Sequence, residues 1–132
     1  MAKGYISTLE LLGVDTSNIV CLDFYSEGST NESDVKRLFD DLDANNQMIV
    51  FTDIMYGSVN QLFIRYKNQY IQKNVSIITG VNLPIVIEIA TKQDDLTIEQ
   101  INEMVEVCRM QLKLMDDSCL NPCTSDDDLF EN

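Results

Sequence analysis

The stretch MIVFTDIMYGSVNQ, residues 48–61, passes from four apolar residues and a threonine into an acid, then into Gly-Ser and a new periodic run. Residues 48–52 lack the polar alternation of a half-exposed strand and read as a strand covered on both faces. From about Ser58 onward, Leu62, Phe63 and Tyr66 recur at helical spacing. A covered strand feeding a helix through a short connection is half of a β-α-β unit, the building block of a parallel sheet.

The same alternation of periods continues in both directions. Upstream, IVCLDF (19–24) reads as a mostly apolar strand, and the polar run SEGSTNESD (26–34) supplies capping residues ahead of the stripe Val35, Leu38, Phe39, Leu42. Before it, Tyr5, Leu9 and Leu12 mark a helix that Gly13 stops. Downstream, VSIIT (75–79) is a third strand, Pro84 suits the first turn of the helix after it, and Thr97 caps a helix carrying Ile98, Ile101, Val105 and Cys108. The predicted fold is α/β: a doubly wound, mainly parallel sheet with helices on both faces. No internal repeat interrupts it.

Right-handed crossovers bring the strand ends to one edge, so the connections 25–32, 53–58 and 80–84 are expected to meet there. Ligands of open α/β sheets bind at that carboxyl edge. The helix at 2–12 has no strand to feed it. A further strand would end just before Met1, on the same edge as Asp53.

MQLKLM (110–115) has two readings. Met110, Leu112 and Leu114 alternate with Gln111 and Lys113, as in a half-exposed strand, yet a helix end continuing to Met115 fits too. The terminal CLNPCTSDDDLFEN reads as a disordered acidic tail. The expected division is a body of residues 1–115 and a tail of 116–132.

Composition bounds the function. A chain of 132 residues makes one domain, and a net charge of −13 argues against a phosphate-backbone partner. Six acids and no base follow Lys113. The N-terminal MAKGYISTLELLG has no continuous apolar core, so it is not read as a signal peptide. The longest apolar run, LPIVIEIA (83–90), is short and broken by Glu88, so no bilayer span or membrane insertion is expected. Four cysteines without an export signal read as reduced, cytoplasmic thiols. Cys21 and Cys108 read as core filler, and Cys119 and Cys123 lack the partners of a closed zinc site. No metal and no cofactor are expected.

Asp53 also has two readings. It can cap the following helix, or it can orient a base or nucleophile across the edge. Gly57 before a helix N-terminus, with Ser58 after it, lets backbone N–H groups face an anion.

Taken together, residues 1–115 resemble the IIA component of the mannose-type family of the bacterial sugar phosphotransferase system. MAKGYISTLELLG is similar to that family's first helix, which follows a strand ending in His-Gly, and IVCLDFY to its second strand. TDIMYGSVNQ resembles its D-x-x-G-G-S-[PV]-x-x block, and ITGVNLPIVIE its G-[VI]-N-x-P-x-x-x-E block. The resemblance implies a phosphoryl relay: a histidine accepts phosphate from the histidine-containing phosphocarrier protein and passes it to a IIB partner during sugar uptake. It implies Asp53 as the carboxylate that fixes the imidazole tautomer. It implies Gly57 and Ser58 as phosphoryl-binding positions, with Thr79, Gly80 and Asn82 on the adjoining edge. It further implies a cytoplasmic homodimer in which the last strand is exchanged, antiparallel, between subunits.

Two departures accompany the resemblance. Tyr56 stands where the family has its first glycine, at a cost of about 1–2 kcal/mol if that position is left-handed. The sequence also contains no histidine, and Met1 aligns just past the family's His-Gly. A chain begun at an internal methionine and a naturally shortened, inactive paralogue would both produce this, and they leave open whether these residues act as an enzyme. Two rival readings remain: a non-catalytic interaction module with the same fold, and a phosphoaspartate receiver with Asp53 as acceptor. A receiver needs a further acidic pair for Mg²⁺.

Overall fold

The computed structural model describes residues 2–24, 31–53 and 57–116. Seven elements follow in order: α1 (Ala2–Leu11), α2 (Glu32–Asp41), β1 (Gln47–Thr52), α3 (Ser58–Gln69), β2 (Asn74–Thr79), α4 (Leu83–Ala90) and α5 (Ile98–Arg109). β1 and β2 pair in parallel, in register from Gln47↔Asn74 to Thr52↔Thr79. Each of β1 and β2 is followed by a helix, as the alternating periods require.

The pleat divides the core into two. Ile49 and Phe51 of β1 and Ile78 of β2 pack with Leu9, Ile85, Val86, Ile101 and Cys108, which come from α1, α4 and α5. Met48, Val50, Val75 and Ile77 pack the opposite way, onto Val35, Phe39, Phe63 and Tyr66 of α2 and α3. Successive residues of a strand point to opposite faces, so a run with no polar alternation demands cover on both sides. The molecule supplies it, and the doubly wound α/β reading holds.

The helices begin and end on the local chemistry anticipated. Asn31 caps α2 in a reciprocal box with Asp34, and Thr97 caps α5 in another with Gln100. Gly13, at φ +80°, closes α1: its N–H bonds to the Glu10 carbonyl, and the Val14 N–H reaches back to Leu9. That pair of bonds is a Schellman ending, which needs a left-handed residue. Between α2 and α3 the Phe39 ring lies 5.5 Å from Tyr70, 5.7 Å from Tyr66 and 6.2 Å from Phe63, centroid to centroid. Lys73 Nζ donates to the carbonyls of Phe39 at 2.6 Å and Asp40 at 3.1 Å, satisfying the C-terminus of α2.

One expectation needs correction, and at the C-terminal end of the body one of two readings falls away. Residues 19–24 take no place in a ladder among the described residues. Their side chains nevertheless alternate as a strand's do, with Ile19 on the α1–α4–α5 side and Leu22 and Phe24 on the α2–α3 side. The apolar pattern specifies burial, and pairing requires in addition a strand edge within reach. At the other end, α5 stops at Arg109 with Met110 as its cap, and residues 112–116 adopt no regular structure. The reading of a helix continuing to Met115 is therefore not realised, and Leu112 is 89% and Leu114 84% exposed. The expected tail, apart from Asp116, lies outside the described residues.

Candidate functional site

The site is built where β1 and β2 end. Thr52 and Thr79 are ladder partners, so Asp53 and Gly80 leave the sheet side by side, on strands that pair at about 4.8 Å. Gly80 has φ +71°, a left-handed turn that a side chain would strain, and it sends the chain into α4. The N-termini of α3 and α4 therefore both begin at this edge.

Thr52 holds the edge together through two bonds. Its carbonyl accepts from the N–H of Val81 at 3.2 Å, tying the exit of β1 to that of β2. Its Oγ1 donates to Oδ1 of Asn60, in the first turn of α3, at 3.0 Å. Both residues are buried, at 5% and 4% exposure, so this bond is shielded from water. A buried neutral bond contributes about 0.5–1.5 kcal/mol net, and an orphaned partner costs about 1–3 kcal/mol.

Asn82 does comparable work for α4. Its Oδ1 accepts from the N–H of Ile85 at 3.1 Å as the N-cap, and its Nδ2 donates to the carbonyl of Cys108 at 2.9 Å. One side chain thus starts α4 and satisfies a carbonyl in the last turn of α5.

α3 begins differently. Its N-cap is Gly57, which brings no side chain to cap it. Asp53 is exposed and is not that helix's cap, so the capping reading is not realised. Ser58 is the first residue of α3 and is exposed. The first N–H groups of a helix, and the positive end of its dipole, point beyond its N-terminus. A carboxylate and a helix start consequently flank residues 54–56. Tyr56, the departure from the family pattern, lies outside the described residues, as do 25–30 of the third connection.

A cleft of about 250 Å³ opens beside the edge, between Thr79, Gly80, Asn82, Ile85, Val105 and Cys108. Thr79 Oγ1 is buried and unpaired among the described residues. Burial, helped by the nearby Glu88 carboxylate, pushes the Cys108 thiol upward, which disfavours the thiolate. A second cleft, of about 460 Å³, lies on the other face between Phe24, Glu32, Ser58, Leu62 and Arg65. Glu32 accepts from Tyr66 Oη at 2.8 Å and from Arg65 at 2.6 Å. The tyrosine, and then the guanidinium, hold its carboxyl below the usual range. Among the described residues no group of His, Cys, Asp and Glu side chains gathers at metal-binding spacing. None of their helices is long and apolar enough to cross a membrane.

All six residues singled out in the sequence, Asp53, Gly57, Ser58, Thr79, Gly80 and Asn82, are thus at the carboxyl ends of β1 and β2 or at the helix starts beyond them. Asn60 was missed, although a signal existed. It falls on the apolar stripe of α3, three residues before Phe63, where a polar side chain needs a buried partner.

Comparison with known proteins agrees with this architecture. A family model, EIIA-man, described as the PTS system fructose IIA component, matches residues 1–106. A crystal structure from Klebsiella pneumoniae superposes with a TM-score of 0.74 at 26% identity, covering 89% of this chain and 85% of that one. That protein is described as a candidate phosphoenolpyruvate-dependent sugar phosphotransferase system permease. No curated protein matches.

Proposed function

We propose a role that proceeds from one premise: this chain belongs to the EIIA-man family of sugar phosphotransferase system IIA components. Within that system the carboxyl edge is the working surface. It receives the histidine-containing phosphocarrier protein and, in turn, a IIB partner, in the cytoplasm and as a homodimer.

One observation carries the reading. Asp53, the start of α3 at Gly57 and Ser58, and the Gly80–Asn82 turn share one edge, held by the 3.2 Å bond between Val81 and Thr52. Phosphoryl transfer between imidazoles needs positioning and charge stabilisation more than covalent chemistry from the protein. A carboxylate on one ring nitrogen holds the other available for phosphate. Asp53 is suited to that task, and Ser58 with the N–H groups behind it is suited to phosphoryl oxygens. The imidazole itself is not among the 132 residues. As it stands, the chain supplies the docking edge and the orienting carboxylate. The absence of histidine equally favours a second reading, a non-catalytic module that keeps the partner surface.

Titration of isotope-labelled chain with the phosphocarrier protein tests the docking edge. Shifts should concentrate at Asp53, Gly57–Gln61 and Gly80–Asn82. Saturable shifts confined to α1 and α5, or none at all, would overturn the reading.

A further inference from the structure

We propose that Thr52 and Asn60 are positioning residues, whose buried hydrogen bond fixes the separation of the two ends of the Asp53–Gly57 connection and so sets where the Asp53 carboxylate stands. The inference deepens the reading of Asp53 as the orienting carboxylate and rests on it for its functional part.

Geometry carries it. Asp53 follows directly on Thr52, while Gly57 and Ser58 precede Asn60 by three and two residues. The 3.0 Å bond between Thr52 Oγ1 and Asn60 Oδ1 therefore closes the connection at its base. The two residues that bound the connection cannot close it themselves: Asp53 does not cap α3, and Gly57 brings no side chain. Both bonded partners are buried, so water cannot substitute for either without entering the core. The carbonyl of the same Thr52 holds Val81, which extends the constraint to the neighbouring turn. Replacing a buried polar pair by an apolar pair of the same shape is often neutral or stabilising, so what this pair adds is specificity of geometry. Here its specificity falls beside the exposed carboxylate at the end of β1.

The experiment compares Thr52→Val, which keeps the shape and removes the hydroxyl, with Thr52→Ser, which keeps the hydroxyl, and with Asn60→Ala. Two quantities are read on the full chain: the backbone order parameters of Asp53 and Gly57, and the affinity for the phosphocarrier protein. Thr52→Val and Asn60→Ala should lower the order parameters from about 0.85 toward 0.6, with β2 and α5 unchanged, and Thr52→Ser should restore them. Carrier affinity should fall roughly tenfold in the first two variants and recover in the third. Unchanged order at Asp53 and Gly57 overturns the inference outright. Loosened order with unchanged affinity overturns its functional part and leaves the bond a structural one. If wild-type chain binds no carrier, the proposed function fails instead, and the order parameters alone decide the positioning claim. Should Thr52→Val not fold, Asn60→Ala decides the matter by the same two measurements.

Discussion

The backbone N–H of Val81 donates to the carbonyl oxygen of Thr52 at 3.2 Å, joining the exits of two parallel strands just beyond their last ladder pair. Because of that bond Asp53 and the Gly80 turn leave the sheet on one surface. Changes in one are expected to reach the other, and several consequences can be measured.

Asn82→Ala removes both the acceptor that caps α4 and the donor to the Cys108 carbonyl. The expected loss is about 1–2 kcal/mol, seen as a lower urea midpoint. Asn82→Asp keeps an acceptor for Ile85 and should recover part of the loss. An unchanged midpoint in the alanine variant would show that water replaces both bonds.

Leu9 is fully buried between α1 and the α4–α5 face. Leu9→Ala should cost about 2–5 kcal/mol, through lost transfer energy and the cavity left behind. Denaturant unfolding measures this. A loss below about 1 kcal/mol would mean that α1 contributes little to the core.

The α2–α3 pair should be pH-sensitive at both extremes. Glu32, through Tyr66 and then Arg65, and Asp40, through Lys36 and then Tyr70, are held below their ordinary values of 4.5 and 3.8. In acid the unfolded chain takes up these protons first, so their contribution is present above those values and is lost as pH falls through the folded ones. Tyr66 and Tyr70, bonded to Glu32 and Asp40, are raised above 10.0, so theirs is lost as pH rises past 10.0. All four sites face solvent screening, which keeps the effects modest. Thermal midpoints of wild type and the Tyr66→Phe, Tyr70→Phe double variant should diverge least at the two extremes. Equal separation at every pH would contradict the assignment.

These contacts also show what the sequence could convey. Strands 48–52 and 75–79 were legible because runs without polar alternation must be covered on both faces. Thr97, Pro84 and Gly13 were legible because caps and stops depend on neighbours in sequence. Residues 19–24 were misread for the complementary reason: apolarity encodes burial, while a ladder depends on a second edge. The bond between Thr52 and Asn60 joins two residues eight apart across a strand end and a helix start, and no local rule pairs them. The positions of Asp53, Ser58 and Asn82 could be read from their motifs, but the tie that makes them one surface is a tertiary bond.

Residues 110–115 bear on assembly. Met110, Leu112 and Leu114 are 61%, 89% and 84% exposed, so among the described residues their alternation meets no covered face. In the proposed homodimer a second copy supplies that face. Leu112→Asp or Leu114→Asp should then weaken dimerisation while leaving the monomer fold intact. Light scattering at micromolar concentration reads this directly, and a clean wild-type monomer would rule out exchange.

The most direct test of the relay is transfer of phosphate from the phosphorylated carrier protein. The 132-residue chain should take up no acid-labile phosphate, because it contains no imidazole to receive it. Adding a strand ending in His-Gly ahead of Met1 should permit uptake, and Asp53→Asn in that extended chain should slow it by about tenfold or more. Uptake by the unextended chain at a comparable rate would contradict the histidine relay and make Asp53 itself the acceptor.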